Sequence, residues 1–151
     1  MVIGKFLTLA ECCKSATAIK MGIDNVPNEM QVQAMKDLCK FIYDPLCEHF
    51  ATKIPFNSFF RCDALNKAIK GAKGSQHTMG EAIDMDFDGK NIGVTNQMLF
   101  DYIRFNMTFD QLIWEFDGAW VHCSWSDSHQ PRMQVLKAVN KGNKTTYQQH
   151  G

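Results

Sequence analysis

The chain has 151 residues, 45% of them hydrophobic and 21% charged; this is an ordinary globular composition in a length that fits a single domain over 1–151, enough to bury a core without covalent staples. Sixteen basic side chains cancel sixteen acidic ones, so no net field draws the protein to nucleic acid or to an anionic membrane. The first residues hold one lysine, Lys5, before an apolar run that breaks at Glu11, too short for a signal-peptide core or a membrane span; a cytoplasmic monomer with no integral membrane segment is expected.

In chain order, Thr8 followed three residues later by Glu11 forms a capping box and predicts a short helix to about Met21, stopped at Gly22. Pro27 opens a longer helical segment to about Thr52, where Met30, Val32, Met35, Leu38, Phe41 and Ile42 recur at mostly three- and four-residue steps; a bend or break is expected near Pro45. Residues 54–60, IPFNSFF, are short, aromatic and turn-bounded, predicting a strand with its proline at the start. After a brief helix over 63–70 and a Gly71-Ala72-Lys73-Gly74 loop, alternation from Ala82 to Phe87 predicts a strand with Ile83, Met85 and Phe87 on one face and Asp84 and Asp86 on the other. Helical spacing returns from Val94 to Met107, with Thr95 as a cap. Strands at Gln111 to Phe116 and Trp120 to Trp125 are joined by Asp117-Gly118-Ala119, and a last hairpin is expected around Asn140-Lys141-Gly142-Asn143.

Six cysteines would be an even disulfide count in a secreted protein, but there is no export signal and no CxxC pair. Cys39 and Cys47 fall within helical apolar patterns, where a free thiol acts as a small hydrophobe, so reduced structural cysteines are expected.

Chemistry concentrates in Ser75-Gln76-His77-Thr78-Met79-Gly80-Glu81-Ala82-Ile83-Asp84, where an imidazole and a carboxylate stand seven residues apart around a glycine. His77 lies in a loop able to fold back over the strand that carries Asp84, and Asp86 shares the Asp84 face, as a support for a histidine ligand or as a solvated acid. A catalytic zinc takes three protein ligands and keeps a position for water, so a third ligand is needed. His49, His122, His129 and His150 are the candidates. His122 is preferred because it sits mid-strand in WVHCSW, on one face with Trp120 and Ser124, whereas His49 belongs to the long helix and His129 and His150 lie in turn-like or terminal sequence.

The whole run SxHxxGxAxD, followed by LIxE at 112–115 and WVH at 120–122, resembles the zinc D-alanyl-D-alanine peptidase family, which includes D,D-carboxypeptidases, D,D-dipeptidases and phage endolysins. Similarity extends over most of the chain, from the segment containing Phe6 to Glu11, Ser15 to Ala18 and Gly22 to Asn25 through the Asn57-Ser58-Phe59-Phe60-Arg61 stretch. The resemblance implies that His77, Asp84 and His122 hold Zn2+, that Arg61 stabilises charge on the scissile carbonyl, and that Ser75 hydrogen-bonds substrate. It also implies that Glu115 is the general base; Glu115 ends the strand whose hairpin partner carries His122, and Asp117 is the alternative. Two departures stand out: Phe59-Phe60-Arg61-Cys62 replaces a Gly-Tyr-Arg-Ser sequence, and Ala119 occupies the position, three before the last histidine, where some relatives carry an acid.

The expectation is therefore an α+β fold with an antiparallel central β-sheet flanked by helices, similar to that of D-Ala-D-Ala peptidases and of the hedgehog signalling domain. Its expected function is hydrolysis of a peptide bond in the bacterial peptidoglycan stem peptide or cross-link, at D-alanine, as a carboxypeptidase or endopeptidase of cell-wall degradation. A phage-type endolysin, reaching the wall by a separate release route or in the virion, would suit such a chain. The alternatives are an L-alanyl-D-glutamate endopeptidase and a zinc-containing binding module without turnover.

Overall fold

A computed structural model describes residues 1–151, and every predicted element is present with shifted ends. The first helix is two: α1 (Leu9–Cys12), with the Thr8/Glu11 capping box formed, and α2 (Ala16–Met21), capped by Ser15 and closed by Gly22 in the left-handed region. Ser15 accepts from the Ala18 N–H and starts a new helix instead of continuing the old one. The long segment is α3 (Glu29–Leu38), a π-helical turn (Cys39–Tyr43) and α4 (Asp44–Phe50), running without a break. Pro45 sits in the first turn of α4, where a missing N–H costs nothing, and the widened turn just before it makes room for the ring. The bend expected at the proline is thus absorbed as a bulge one step earlier.

Strand β1 is only Phe56–Ser58, with Pro55 outside it. Then come α5 (Asp63–Ala68), a 3-10 turn (Gln76–Met79), β2 (Ala82–Met85), α6 (Asn96–Asn106) capped by Thr95, β3 (Gln111–Glu115), β4 (Trp120–Ser124), β5 (Gln134–Lys141) and β6 (Lys144–Gln149). The six strands form one sheet in the order β1-β2-β4-β3-β5-β6. All neighbours are antiparallel except β3 and β5, which run parallel, so the sheet departs at that one pair from a wholly antiparallel one. The cause is the connection: β4 turns back beside β3 on one side, and the chain then crosses through residues 125–133 to the other side of β3.

Alternation gives the sheet two unlike faces. Ile83, Met85, Leu112, Val121 and Cys123 point into the main core with Met35, Leu38, Ile42, Leu99, Phe100 and Ile103 from the helices. The opposite face carries Asp84, His122 and Glu115, with a small apolar cluster of Ile113, Leu136 and Ala138 beside them. No helix is long and apolar enough to cross a membrane. All six cysteines are free thiols, four of them buried; burial raises the Cys12 thiol to about 12, which leaves it an inert apolar group.

Candidate metal centre and cleft

Asp84 and His122 are direct partners across β2 and β4, so both side chains rise from the same sheet face and His122 Nδ1 lies 3.0 Å from Asp84 Oδ1. His77 comes from the 3-10 turn above them, its Nε2 3.1 Å from Asp84 Oδ2. One donor atom from each of the three residues fits within 4.8 Å of the others, and all three residues are buried.

The loop carrying His77 is held from three sides. Gly80 closes the 3-10 turn at φ 76, and a Cβ there would stand 2.6 Å from the Gln31 carbonyl oxygen, so the position demands glycine for both conformation and space. Gln31 of α3 donates from Nε2 to the Thr78 carbonyl, and Thr78 donates its hydroxyl to the Ser75 carbonyl. Ser75 caps the turn, its hydroxyl accepting from the His77 N–H at 3.3 Å. Gln76 reaches away to Asp110, which also receives Arg132 through two guanidinium nitrogens.

Chemically, the cluster fits a zinc ion. His77 Nδ1 is 2.7 Å from the Phe59 carbonyl, a contact that requires the proton on Nδ1 and leaves a bare lone pair on Nε2. That buried Nε2 has no partner in hydrogen-bonding geometry, despite its nearness to Asp84. An orphaned imidazole nitrogen, a carboxylate and a second imidazole nitrogen form a two-nitrogen, one-oxygen set that suits catalytic zinc with a position left for water. In the metal-free centre burial opposes ionisation of Asp84, but the imidazoles of His77 and His122, when they carry a proton on each nitrogen, outweigh it and hold the carboxyl well below its ordinary range.

Glu115 ends β3 on the same face, two pairs beyond the Ile113–His122 pair and opposite Trp120. Burial pushes its carboxyl up to about 7, reinforced by Asp84 and opposed by His122 and Arg61. The turn that follows runs through three residues of positive φ, Phe116, Asp117 and Gly118, and a Cβ on Gly118 would meet the Trp114 ring at 2.3 Å. The Asp117-Gly118 pair therefore marks the hairpin, but within a four-residue loop that turns Asp117 out to solvent, away from the cleft.

Arg61 enters from the sheet's other end. Its backbone N–H donates to the His77 carbonyl, and its Nε is buried without a partner. Burial lowers the guanidinium from its ordinary value while Asp84, Glu115 and Tyr147 pull it back up. Asn25 fixes the flanking backbone: its amide donates to the Cys13 and Phe60 carbonyls and accepts from the Cys62 N–H.

Arg61, Ser75, His77, Asp84, Glu115 and His122 thus line one cleft of about 960 Å³. The other histidines lie elsewhere: His49 stacks on Tyr102, His150 packs against Phe100, and exposed His129 sits 3.7 Å from Asp110. Half-buried Asp86 lies past the end of β2 and accepts from Asn96 Nδ2 and the Asp88 N–H instead of from a histidine, which corrects the reading of it as a support for a histidine ligand. The sequence reading missed Asn25 as an anchor and Tyr147 as a cleft residue; a tripartite asparagine and a tyrosine two strands from the base carry no local signal.

The model of the Peptidase M15 family matches residues 5–124. No curated protein matches the chain. Members of that family are zinc-dependent, which agrees with the His-Asp-His cluster on the sheet. With the match covering most of the fold and every residue of the cluster, the chain belongs to the M15 family of zinc peptidases.

Proposed function

We propose that this protein hydrolyses a D-alanyl peptide bond in the bacterial peptidoglycan stem peptide or its cross-link, with His77, Asp84 and His122 as zinc ligands and Glu115 as general base. The observation that carries the reading is the buried Glu115 carboxyl on the same sheet face as Asp84 and His122, beneath the His77 turn in an open cleft, where burial raises its pKa. When bound, zinc supplies a Lewis acid that polarises the carbonyl and acidifies water.

Glu115 takes one proton from the attacking water as its oxygen bonds to the carbonyl carbon, and the carbonyl π pair moves onto oxygen. Arg61, with an unpartnered Nε in the cleft, faces that developing charge. Glu115 then returns the proton to the leaving nitrogen as the C–N bond breaks. Ser75 lines the approach and offers a hydroxyl to the substrate backbone.

Charge on the rim supports an anionic peptide. Lys70, Lys73 and Lys144 line the cleft beside Arg132, which is paired with Asp110, and its only carboxylates, Asp84 and Glu115, are buried on the floor. In a chain of zero net charge this is a local segregation, complementary to the free carboxylates of a stem peptide. The D-alanyl bond is favoured by the resemblance to relatives whose acid stands at the LIxE glutamate, since position 119 is alanine here.

Zinc-loaded protein incubated with purified muropeptides, with each new terminus identified by mass spectrometry, tests the proposal. Release of D-alanine, or new termini at D-alanyl bonds, is expected. New D-glutamate amino termini with intact D-alanyl bonds would overturn the choice of bond, and no product from any muropeptide would point to a binding module.

A further inference from the structure

The family match ends at residue 124, yet the cleft does not. Its far wall is the β5–β6 hairpin, which contributes Gln134, Leu136, Asn143, Lys144, Thr145 and Tyr147. Of these, Tyr147 bears on the chemistry because of its register. Ala138 pairs with Glu115 on one side and with Tyr147 on the other, so the three residues form one row across β3, β5 and β6 on the same face.

Two strand spacings, about 10 Å, separate the Tyr147 and Glu115 backbones. Between them lies Ala138, a small residue 1% exposed beneath its neighbours, in the apolar cluster with Ile113 and Leu136 against which Phe116 packs. Tyr147 lines the same cavity as Glu115, Asp84, His122 and Arg61. Its hydroxyl makes no hydrogen bond within the chain, unlike that of Tyr43, which is spent on the Ile54 carbonyl. Burial and the nearby Glu115 and Asp84 carboxylates raise its pKa, so the phenol keeps its proton at neutral pH and remains a donor.

Arg61 reaches the floor from the β1 end of the sheet and Tyr147 from the β6 end, giving two donors on opposite sides of the ligand cluster. We infer that Tyr147 is a catalytic residue, whose hydroxyl donates a hydrogen bond to the carbonyl oxygen as it gains negative charge during attack by water. The phenol neither loses nor gains a proton in this step; it meets charge that the substrate carbonyl does not carry before attack. Since that bond strengthens only on the way to the transition state, it acts on kcat more than on KM. The inference rests on the peptidase reading above, and it makes the hairpin beyond the family match part of the active site.

Tyr147→Phe removes one oxygen and keeps the ring that covers Ala138, so folding is preserved. In zinc-loaded enzyme acting on muropeptides, we expect kcat to fall roughly 10- to 100-fold, at or below the usual loss for one oxyanion donor because the ring is half exposed. KM should change by less than about threefold, with zinc content and melting temperature unaltered. A second readout needs no turnover: a phosphinate analogue of a D-alanyl dipeptide, which mimics the tetrahedral state, should bind the variant more weakly by a similar factor in calorimetry. The uncleaved D-alanyl dipeptide should bind both proteins alike. Unchanged kcat with unchanged phosphinate affinity would overturn the inference, as would a rise in KM alone. If wild type cleaves no muropeptide, the peptidase reading fails, and an equal phosphinate affinity for the two proteins would then separately reject Tyr147.

Discussion

Asp84 and His122 face each other across β2 and β4 with Oδ1 and Nδ1 3.0 Å apart, so two of the three candidate ligands are set by strand pairing alone. His77 is set by a separate turn. The centre therefore depends on the sheet register and on the packing of that turn against α3.

His77→Ala, Asp84→Ala and His122→Ala should each lose most bound zinc, because each removes one of three bonds and the geometry of the open position. His129→Ala should retain it, since His129 is exposed and contacts Asp110 outside the cluster. Elemental analysis of untagged protein gives the answer; full zinc in the His122 variant would refute the ligand set.

Glu115→Gln should keep zinc and fold while hydrolysis falls about 10²- to 10⁴-fold, since an amide cannot accept the water's proton. Asp117→Asn should stay near wild type, because Asp117 is turned to solvent. Steady-state kinetics on muropeptides compare the two, and a dead Asp117 variant beside an active Glu115 variant would reverse the assignment.

The same glutamate predicts a pH-dependent gain in stability. Its folded pKa is raised from 4.5 to about 7, so its folded state prefers the neutral form. Below the unfolded pKa both states are neutral and the group costs nothing; the cost grows as pH rises and is complete above the folded pKa. Metal-free Glu115→Gln should therefore be more stable to unfolding than metal-free wild type at pH 8, by up to about 3 kcal/mol, with the gap closing towards pH 4.5. Chemical denaturation of chelator-treated protein at both pH values measures it, and a gap that widens on acidification would show the sign to be wrong.

Asn25→Ala deletes three hydrogen bonds, two to the Phe60–Cys62 backbone and one to the Cys13 carbonyl, that together tie the Arg61 segment to the amino-terminal one. It should destabilise the protein by about 1–3 kcal/mol. It should also lower kcat through a loosened Arg61 while zinc content stays full. Thermal melts read beside kinetics separate this from a metal effect.

Lys73→Glu and Lys144→Glu, on the exposed rim of the cleft, should raise KM for anionic muropeptides several-fold and leave kcat in place. The wild-type KM should rise with ionic strength for the same reason. A KM insensitive to both changes would show that the rim charge takes no part in recognition.

Local physics made much of this protein legible in its sequence. The Thr8 and Thr95 caps, the Gly22 stop, the alternation that gives β2 over 82–85 and the Asp117-Gly118 turn are effects of a few adjacent residues. The shared face of Asp84, His122 and Glu115 was legible for the same reason, because strand alternation and hairpin register carry face and neighbourhood, whereas the place of His77 beside them and the roles of all four were only implied by the family resemblance. What depends on contacts distant in sequence was decided only by the tertiary structure. The π-turn before Pro45 answers to packing against the sheet as well as to the proline, and the parallel β3–β5 pair follows from a crossover with no sequence mark. Asn25 gains its role from three segments meeting, and Tyr147 gains a place in the cleft because a hairpin pairs it, through Ala138, with Glu115. A residue's neighbours along the chain determine its backbone and its face; which other faces it meets is settled by the burial of the whole core.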